Sequence, residues 1–362
     1  MSGRLRILAG FGLSFLLVAF LLWEINPGRV LAALGRSQVQ LLPLILLPFA
    51  VDVSLRTVRW RVLLAREPRP GYRGTFTYLT IGYLANNVLP ARLGELVRAH
   101  LLGTRENVGR SRALGSIAME RVLDVLAAAA LGAVACAMTG IHGAIVATLT
   151  LIALGALALV VVVAILPHEP VRRVLHRVVA RAPAGWPTRV ADIVRRFLEA
   201  LLDASTPGRA IAALALSFAA WLATSGLFAV TAAAVGVSLP PAGLVGVAVV
   251  ANIGAALPSA PAGIGPFEFG VVVIATALGV DNATAFAFGI LSHACTVLPV
   301  SAIGGIELAR MQWGLGTLRE AGLAERSGAA AVPDEAAAPA EREQLERERL
   351  ERERAAKEIE PA

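Results

Sequence analysis

Seven charged side chains stand at helical spacing in or beside stretches that are otherwise apolar: Arg92, Glu95 and Arg98, then Glu120, Arg121 and Asp124, and finally Glu268. Arg92, Glu95 and Arg98 repeat at i,i+3, so on a helix they form one stripe opposite Leu93, Leu96 and Val97. Two arginines flanking a carboxylate suit a phosphate headgroup: the guanidinium forks bind its oxygens, while Glu95 orients them or binds a proton or cation. The same stripe also reads as the solvated face of an amphipathic juxtamembrane helix. Glu120 and Asp124 are i,i+4 neighbours, and Arg121 reaches Asp124 at i,i+3. Counted from Ala113, Glu120 lies about 10 Å along its helix, and charge at that depth in lipid is costly and usually functional. If hydrocarbon starts only at Leu123, the trio sits at the interface instead. Glu268 has no charged residue within ten positions on either side, so it needs a partner from elsewhere in the fold or stays protonated. As a first-turn residue it also complements a helix dipole. His293, inside a later apolar run, is a candidate partner, although a lone buried histidine is more often merely hydrogen-bonded.

These residues adjoin two breaks in the apolar pattern. The first follows Asn86-Asn87 and runs through Pro90 to Gly94; the second runs from Pro258 through Gly263 and Gly265 to Pro266. Backbone that leaves the helix at membrane depth must be buried in protein or line a wet cavity. Each break also frees N–H groups at the start of the next helix, where anions are attracted; a lipid phosphate is the obvious candidate.

The surrounding chain is built for lipid. It is 56% hydrophobic and 16% charged over 362 residues, with a mean hydropathy of +0.69, whereas soluble domains average about 25% charged residues. About 20 apolar residues cross a bilayer, and the pattern predicts full spans near 7–23, 39–58, 113–138, 143–166, 209–237 and 284–308. Arginines crowd the connections 59–74, 92–112 and 167–208, whereas 139–142, 238–242 and 280–283 carry neither Lys nor Arg. All basic connections fall on the cytoplasmic side only if 75–102 enters and returns from the cytoplasm and 243–279 enters and returns from outside. Both termini are then cytoplasmic. Glu95 and Glu268 are 173 positions apart, and the same offset sets Glu120 against His293. With the opposed charge pattern, this predicts an inverted repeat with broken helices near the midplane, as in many transporters. The expectation is an all-α, polytopic membrane bundle of about six transmembrane helices plus two re-entrant hairpins.

The net charge of +7 is spread over short loops without aromatic interleaving or a nucleic-acid motif, so no nucleic-acid partner is expected. Cys136 and Cys295 lie in apolar runs without metal or redox spacing. No Walker motif, Ser/His/Asp arrangement, zinc spacing or dinucleotide fingerprint occurs, so no cofactor and no metal are expected. The first apolar run is long for a signal peptide and lacks a small-x-small site after it, favouring a retained span. Residues 1–318 form one membrane domain; 319–362 are Ala/Pro-rich, then densely charged with almost no apolar stripe, and are expected to form a mobile cytoplasmic extension.

The runs Asn87-Val-Leu-Pro-Ala-Arg-Leu-Gly-Glu-Leu-Val-Arg98, Glu120-Arg121-Val-Leu-Asp124 and Leu257-Pro-Ser-Ala-Pro-Ala-Gly-Ile-Gly-Pro-Phe-Glu268, with Arg56-Thr-Val-Arg59-Trp60 upstream, closely resemble the lysylphosphatidylglycerol synthase transmembrane (flippase-like) family. The second break reads Ser-Ala-Pro-Ala-Gly where a Pro-Gly-Gly type run is common. In two-part members a separate cytosolic domain performs aminoacyl transfer. No such domain is recognisable here, so the resemblance implies lipid translocation without synthesis: a flippase-like transporter of the cytoplasmic membrane rather than an enzyme. The implied partner is a phospholipid or polyprenyl-phosphate lipid, held by Arg92, Arg98 and Arg121, with Glu95, Glu120, Asp124 and Glu268 for a cationic group or proton. A membrane enzyme or subunit acting on polyprenyl-phosphate-linked sugars or aminoacyl phospholipids, a non-transporting scaffold, and assembly as a homo-oligomer stay open.

Overall fold

The computed structural model describes residues 3–64, 70–89, 93–106, 108, 110–165, 207–256, 260–314, 316 and 318. Within them the regular elements are all helical: α1 (Gly3–Glu24), α2 (Pro27–Gly35), α3 (Leu46–Leu63, after a 3-10 segment Val39–Ile45), α4 (Tyr72–Val88), α5 (Gly94–Arg105), α6 (Arg110–Met138), α7 (Ala144–Ile165), α8 (Pro207–Ala234), α9 (Pro241–Ala256), α10 (Pro266–Ala277, after a 3-10 turn Pro261–Gly263) and α11 (Asn282–Arg310). Pro90, Arg92 and Pro258, the connection 166–206 and the tail 319–362 lie outside the described residues.

Local chemistry accounts for the ends of these helices. Asn26 accepts a 2.9 Å hydrogen bond from the Gly28 amide and Pro27 opens α2, the side-chain cap and first-turn proline that start a helix well. Asp281 does the same for α11, accepting from the amides of Ala283 and Thr284 at 3.1 Å each. Asn86 caps α5 from a different helix: its Oδ1 accepts from the Gly94 amide at 2.8 Å and its Nδ2 donates to Glu95 at 3.2 Å.

Among the described residues four segments are long and apolar enough to cross a membrane: Val39–Leu63, Arg112–Met138, Gly208–Ala234 and Asn282–Arg310. They match four of the six predicted spans, while α1 and α7 occupy the stretches predicted for the other two. The chain is thus an all-helical, multi-pass membrane protein. Four shorter helices form two packed pairs, α4 on α5 and α9 on α10, one at each break. Small residues let the pairs close: a Cβ on Gly94 would lie 2.1 Å from the Gly82 carbonyl oxygen, and one on Gly270 would lie 2.8 Å from the Ala251 Cα.

Around these pairs α3 packs on α8, α6 on α7 and α9, and α11 on α4 and α10. The interior is mostly small and aliphatic, with an aromatic group at Phe228, Phe267 and Phe288, where Phe228 meets the other two rings at 5.9 and 6.0 Å. One boundary differs from expectation. The predicted span ends at residue 58 and leaves Arg59 in a basic loop, whereas α3 runs to Leu63 and both Arg59 and Trp60 are fully buried. The arginine does not mark the end of the hydrophobic segment because carboxylates on α6 neutralise it there.

Candidate functional site

The best-formed charged site lies where α3, α5, α6 and α8 meet. Residues of α6 spaced i,i+4 point to one face, so Glu120 and Asp124 present their carboxylates together. Glu120 is completely buried and is met by three arginines: Arg98 in a bidentate pair at 3.2 and 2.9 Å, Arg59 at 3.3 Å and Arg121 at 2.6 Å. Asp124 takes both arms of Arg59, one of them at 3.0 Å, and stands 3.6 Å from Arg56. Ser217 accepts a further Arg59 hydrogen bond at 2.8 Å. Arg56 donates to Asp52 one turn earlier at 2.8 Å and reaches Thr224 at 3.4 Å. Trp60 supports the back of the cluster: the Arg98 guanidinium stacks 4.0 Å from its ring centre and its indole N–H donates to Ser116 at 3.1 Å. Such bidentate, stacked geometry uses arginine where lysine would not serve.

Arg98 is 2% exposed, so it is not part of a solvated stripe. Glu95, bonded to Asn86, lines a cavity of about 520 Å³. Asp52, Arg56, Arg121 and Asp124 line the same cavity, with Asn86, Asn87, Tyr83, Trp221, Thr224 and Asn252; most of the remaining wall is aliphatic. Arg121 is 44% exposed and has the loosest hold on Asp124, 3.9 Å. Among the described residues, the Tyr83 hydroxyl and the Trp221 indole N–H find no hydrogen-bond partner. Asn87 instead donates to Ser301 of α11 at 3.0 Å.

A second constellation lies at the other break. Gly263 and Gly265 adopt φ of 84° and 95°, left-handed backbone that suits glycine. The Gly265 amide donates to Glu268 Oε2 at 2.7 Å, and Glu268 Oε1 meets His293 Nδ1 at 2.5 Å. The partner that an isolated Glu268 demands is therefore His293. The pair is buried and does not line the cavity, although Ala262 of the adjoining turn does.

Of the residues singled out from sequence, Asn86, Gly94, Glu95, Arg98, Glu120, Arg121 and Asp124 come together, while Gly263, Gly265 and Glu268 form the separate constellation. Asp52, Arg56 and Arg59 escaped selection as site residues. Their signal was present: an acid and two bases at i,i+4 and i,i+7 within an apolar helix. Thr224, Ser217, Tyr83 and Trp221 carry no comparable signal.

Fold and site define a multi-pass helical membrane protein whose internal cavity joins a charged end to an apolar wall. The family model for the lysylphosphatidylglycerol synthase TM region matches residues 7–304, and the chain belongs to that family. A curated relative, the glycosyltransferase AglD of Haloferax volcanii, is 30% identical over 84% of this chain and 54% of its own length; the chain spans about half of that relative. This match corrects one expectation. A relative named for glycosyl transfer points towards an enzyme, so the reading of this chain as a non-enzyme is withdrawn.

Proposed function

We propose that the protein moves a phosphate-bearing lipid across the membrane, holding the headgroup in the cavity between α3, α4, α6 and α8. The observation that carries this reading is the cavity itself: charged residues from α3, α5 and α6 share one 520 Å³ space with an aliphatic wall, the polarity division of a lipid. Arg56 and Arg121 serve as the phosphate ligands, and the unpaired Tyr83 and Trp221 donors add two more contacts. Glu95, Asp52 and Asp124 face any cationic or hydroxyl part of the headgroup. Arg98 and Glu120, buried behind them, position the arginines rather than touch lipid; Arg92, with Pro90 and Pro258, stays a proposed contributor on sequence grounds. In this reading α4–α5 and α9–α10 are re-entrant hairpins of an inverted repeat between six crossings, and both termini are cytoplasmic.

Proteoliposomes carrying headgroup-labelled lipids test the proposal. Protein-dependent translocation is expected, with sharp loss in Arg56→Gln and Glu95→Gln. Transport unchanged in both variants would overturn the site assignment.

A second reading follows from the AglD match: the chain takes part in glycosyl transfer involving a lipid-linked sugar, with a cavity carboxylate as base. Turnover of a radiolabelled lipid-linked sugar by the purified protein, lost in Asp124→Asn, would favour it.

A further inference from the structure

The Glu268–His293 pair has no part in the cavity's polar end, yet its hydrogen bonds lead to the cavity wall. His293 Nε2 lies 3.2 Å from the carbonyl oxygen of Ala262. A carbonyl only accepts, so the contact is a hydrogen bond only when Nε2 carries a hydrogen. His293 Nδ1 lies 2.5 Å from Glu268 Oε1, a separation at which two lone pairs repel, so a proton lies there too. The pair therefore holds two hydrogens, as imidazolium with carboxylate or as imidazole with carboxylic acid; both count the same.

Removal of one proton has a directed consequence. The bond to the anionic carboxylate is the stronger of the two, so the remaining hydrogen stays on Nδ1. Nε2 then presents a lone pair to the Ala262 oxygen and that contact opens. Ala262 is the strained residue of this turn: its φ is 62° without being glycine, a conformation L-residues disfavour. It is held by His293 and by its neighbours, with the Gly263 amide donating to Ala260 and the Ala260 amide to Ser14. It also lines the cavity.

We propose that Glu268 and His293 form a proton-binding site whose occupancy sets the 260–265 turn at the cavity wall. As the coupling ion of lipid movement, the proton rests on the translocation reading above; as a site, it stands without it. The surrounding elements supply little competing chemistry. Neither α9 nor α10 carries another titratable group, and α8 carries only Arg209 in its first turn. The described side chains of α1 and the 3-10 turn offer only Ser14 as a polar contact. On α11 the neighbours are Cys295 and, four turns on, Glu307 and Arg310; α4 brings Tyr72, Arg73, Tyr78 and Tyr83; α2, which packs on α11, brings Arg29. Phe267 stacks on the imidazole, ring centres 4.4 Å apart.

Nitrogen-15 spectra of the full chain, histidine-labelled in lipid nanodiscs, test the site directly, His293 being the signal lost in His293→Asn. At neutral pH a protonated Nε2 is expected, with a pH-dependent loss that Glu268→Gln abolishes. An unprotonated Nε2 from mildly acid to mildly alkaline pH would overturn the proposal. The turn is followed through Ala262→Cys with Cys136 and Cys295 replaced by alanine, using an impermeant maleimide. Labelling should rise with pH several-fold more in this background than after Glu268→Gln, whose amide donates to Nδ1 of the neutral ring and so keeps the hydrogen on Nε2. Equal pH profiles would refute the link to the cavity. If Glu268→Gln accumulates poorly, His293→Gln makes the same comparison. A lipid assay in the same vesicles separates the two readings: a labelling switch without translocation ends the lipid reading alone, and translocation without the switch ends this one.

Discussion

Replacing Glu120 by glutamine keeps the side chain's shape and removes the charge on which three arginines converge. Among the described residues Arg98 then keeps no carboxylate partner while 2% exposed, and Arg59, fully buried, is left with Asp124 as its carboxylate. Removing one member of a buried ion pair costs about 3–5 kcal/mol, because the surviving charge is desolvated without compensation. That is a large part of the roughly 5–15 kcal/mol that holds a typical domain folded. Arg121→Gln provides the contrast. Its side chain is 44% exposed, and its removal leaves Glu120 with Arg98 and Arg59; exposed pairs are worth about 0.2–1 kcal/mol. Thermal unfolding in detergent, followed by a thiol-reactive dye that reports Cys136 and Cys295, should show a fall on the order of 10 °C for Glu120→Gln. Arg121→Gln should stay within a few degrees of the parent. The double variant Arg98→Gln/Glu120→Gln should recover part of the loss, since it no longer buries an unmatched guanidinium. The reasoning fails if Glu120→Gln melts with the parent, or if Arg121→Gln is as damaging.

Three further outcomes follow from the same geometry. Arg56→Lys should reduce lipid translocation nearly as much as Arg56→Gln, because an ammonium cannot span Asp52, Asp124 and Thr224 as the guanidinium does; full activity with lysine would count against that role. Gly94→Ala should cut the yield of monodisperse protein in size-exclusion chromatography, since the added methyl meets the Gly82 carbonyl at 2.1 Å, an overpacking cost of about 1–3 kcal/mol or more. Asp281→Ala should cost about 1 kcal/mol at neutral pH through loss of the α11 cap. Hydrogen bonds from the Thr284 side chain, then from the amides of Thr284 and Ala283, hold the Asp281 carboxyl below its ordinary range. A depressed folded value gives stability that is present above the unfolded value of about 3.9 and lost as pH falls through the folded one, so parent and variant melting curves should converge in acid.

Hydropathy located the long helices because lipid demands a length and a composition that few other environments impose, and Asn86, Pro90 and Gly94 announced a break for the same reason. Glu268 was legible as a residue in need of a partner, and His293, inside a later apolar run, was the candidate for it. Arg59 was not, because a basic residue at the edge of an apolar run is read as the start of a loop; only Asp124 and Glu120, sixty-odd positions away, show that it belongs inside. The partners on α8 were invisible for a similar reason. Ser217 and Thr224 are ordinary hydroxyls in an apolar helix until tertiary packing brings them to Arg59 and Arg56.

The charged cluster has one property that bears on how tightly any ligand is held. Among the described residues, four arginines (Arg56, Arg59, Arg98 and Arg121) stand with four carboxylates (Asp52, Glu95, Glu120 and Asp124). A phosphate that enters finds no idle cation among these four arginines; each guanidinium it engages must loosen its grip on a protein carboxylate. Binding is then an exchange of partners, nearly balanced in energy, rather than a net gain of ion pairs. Such a site grips weakly and lets go readily, which suits cargo that must leave on the other side better than a ligand meant to stay.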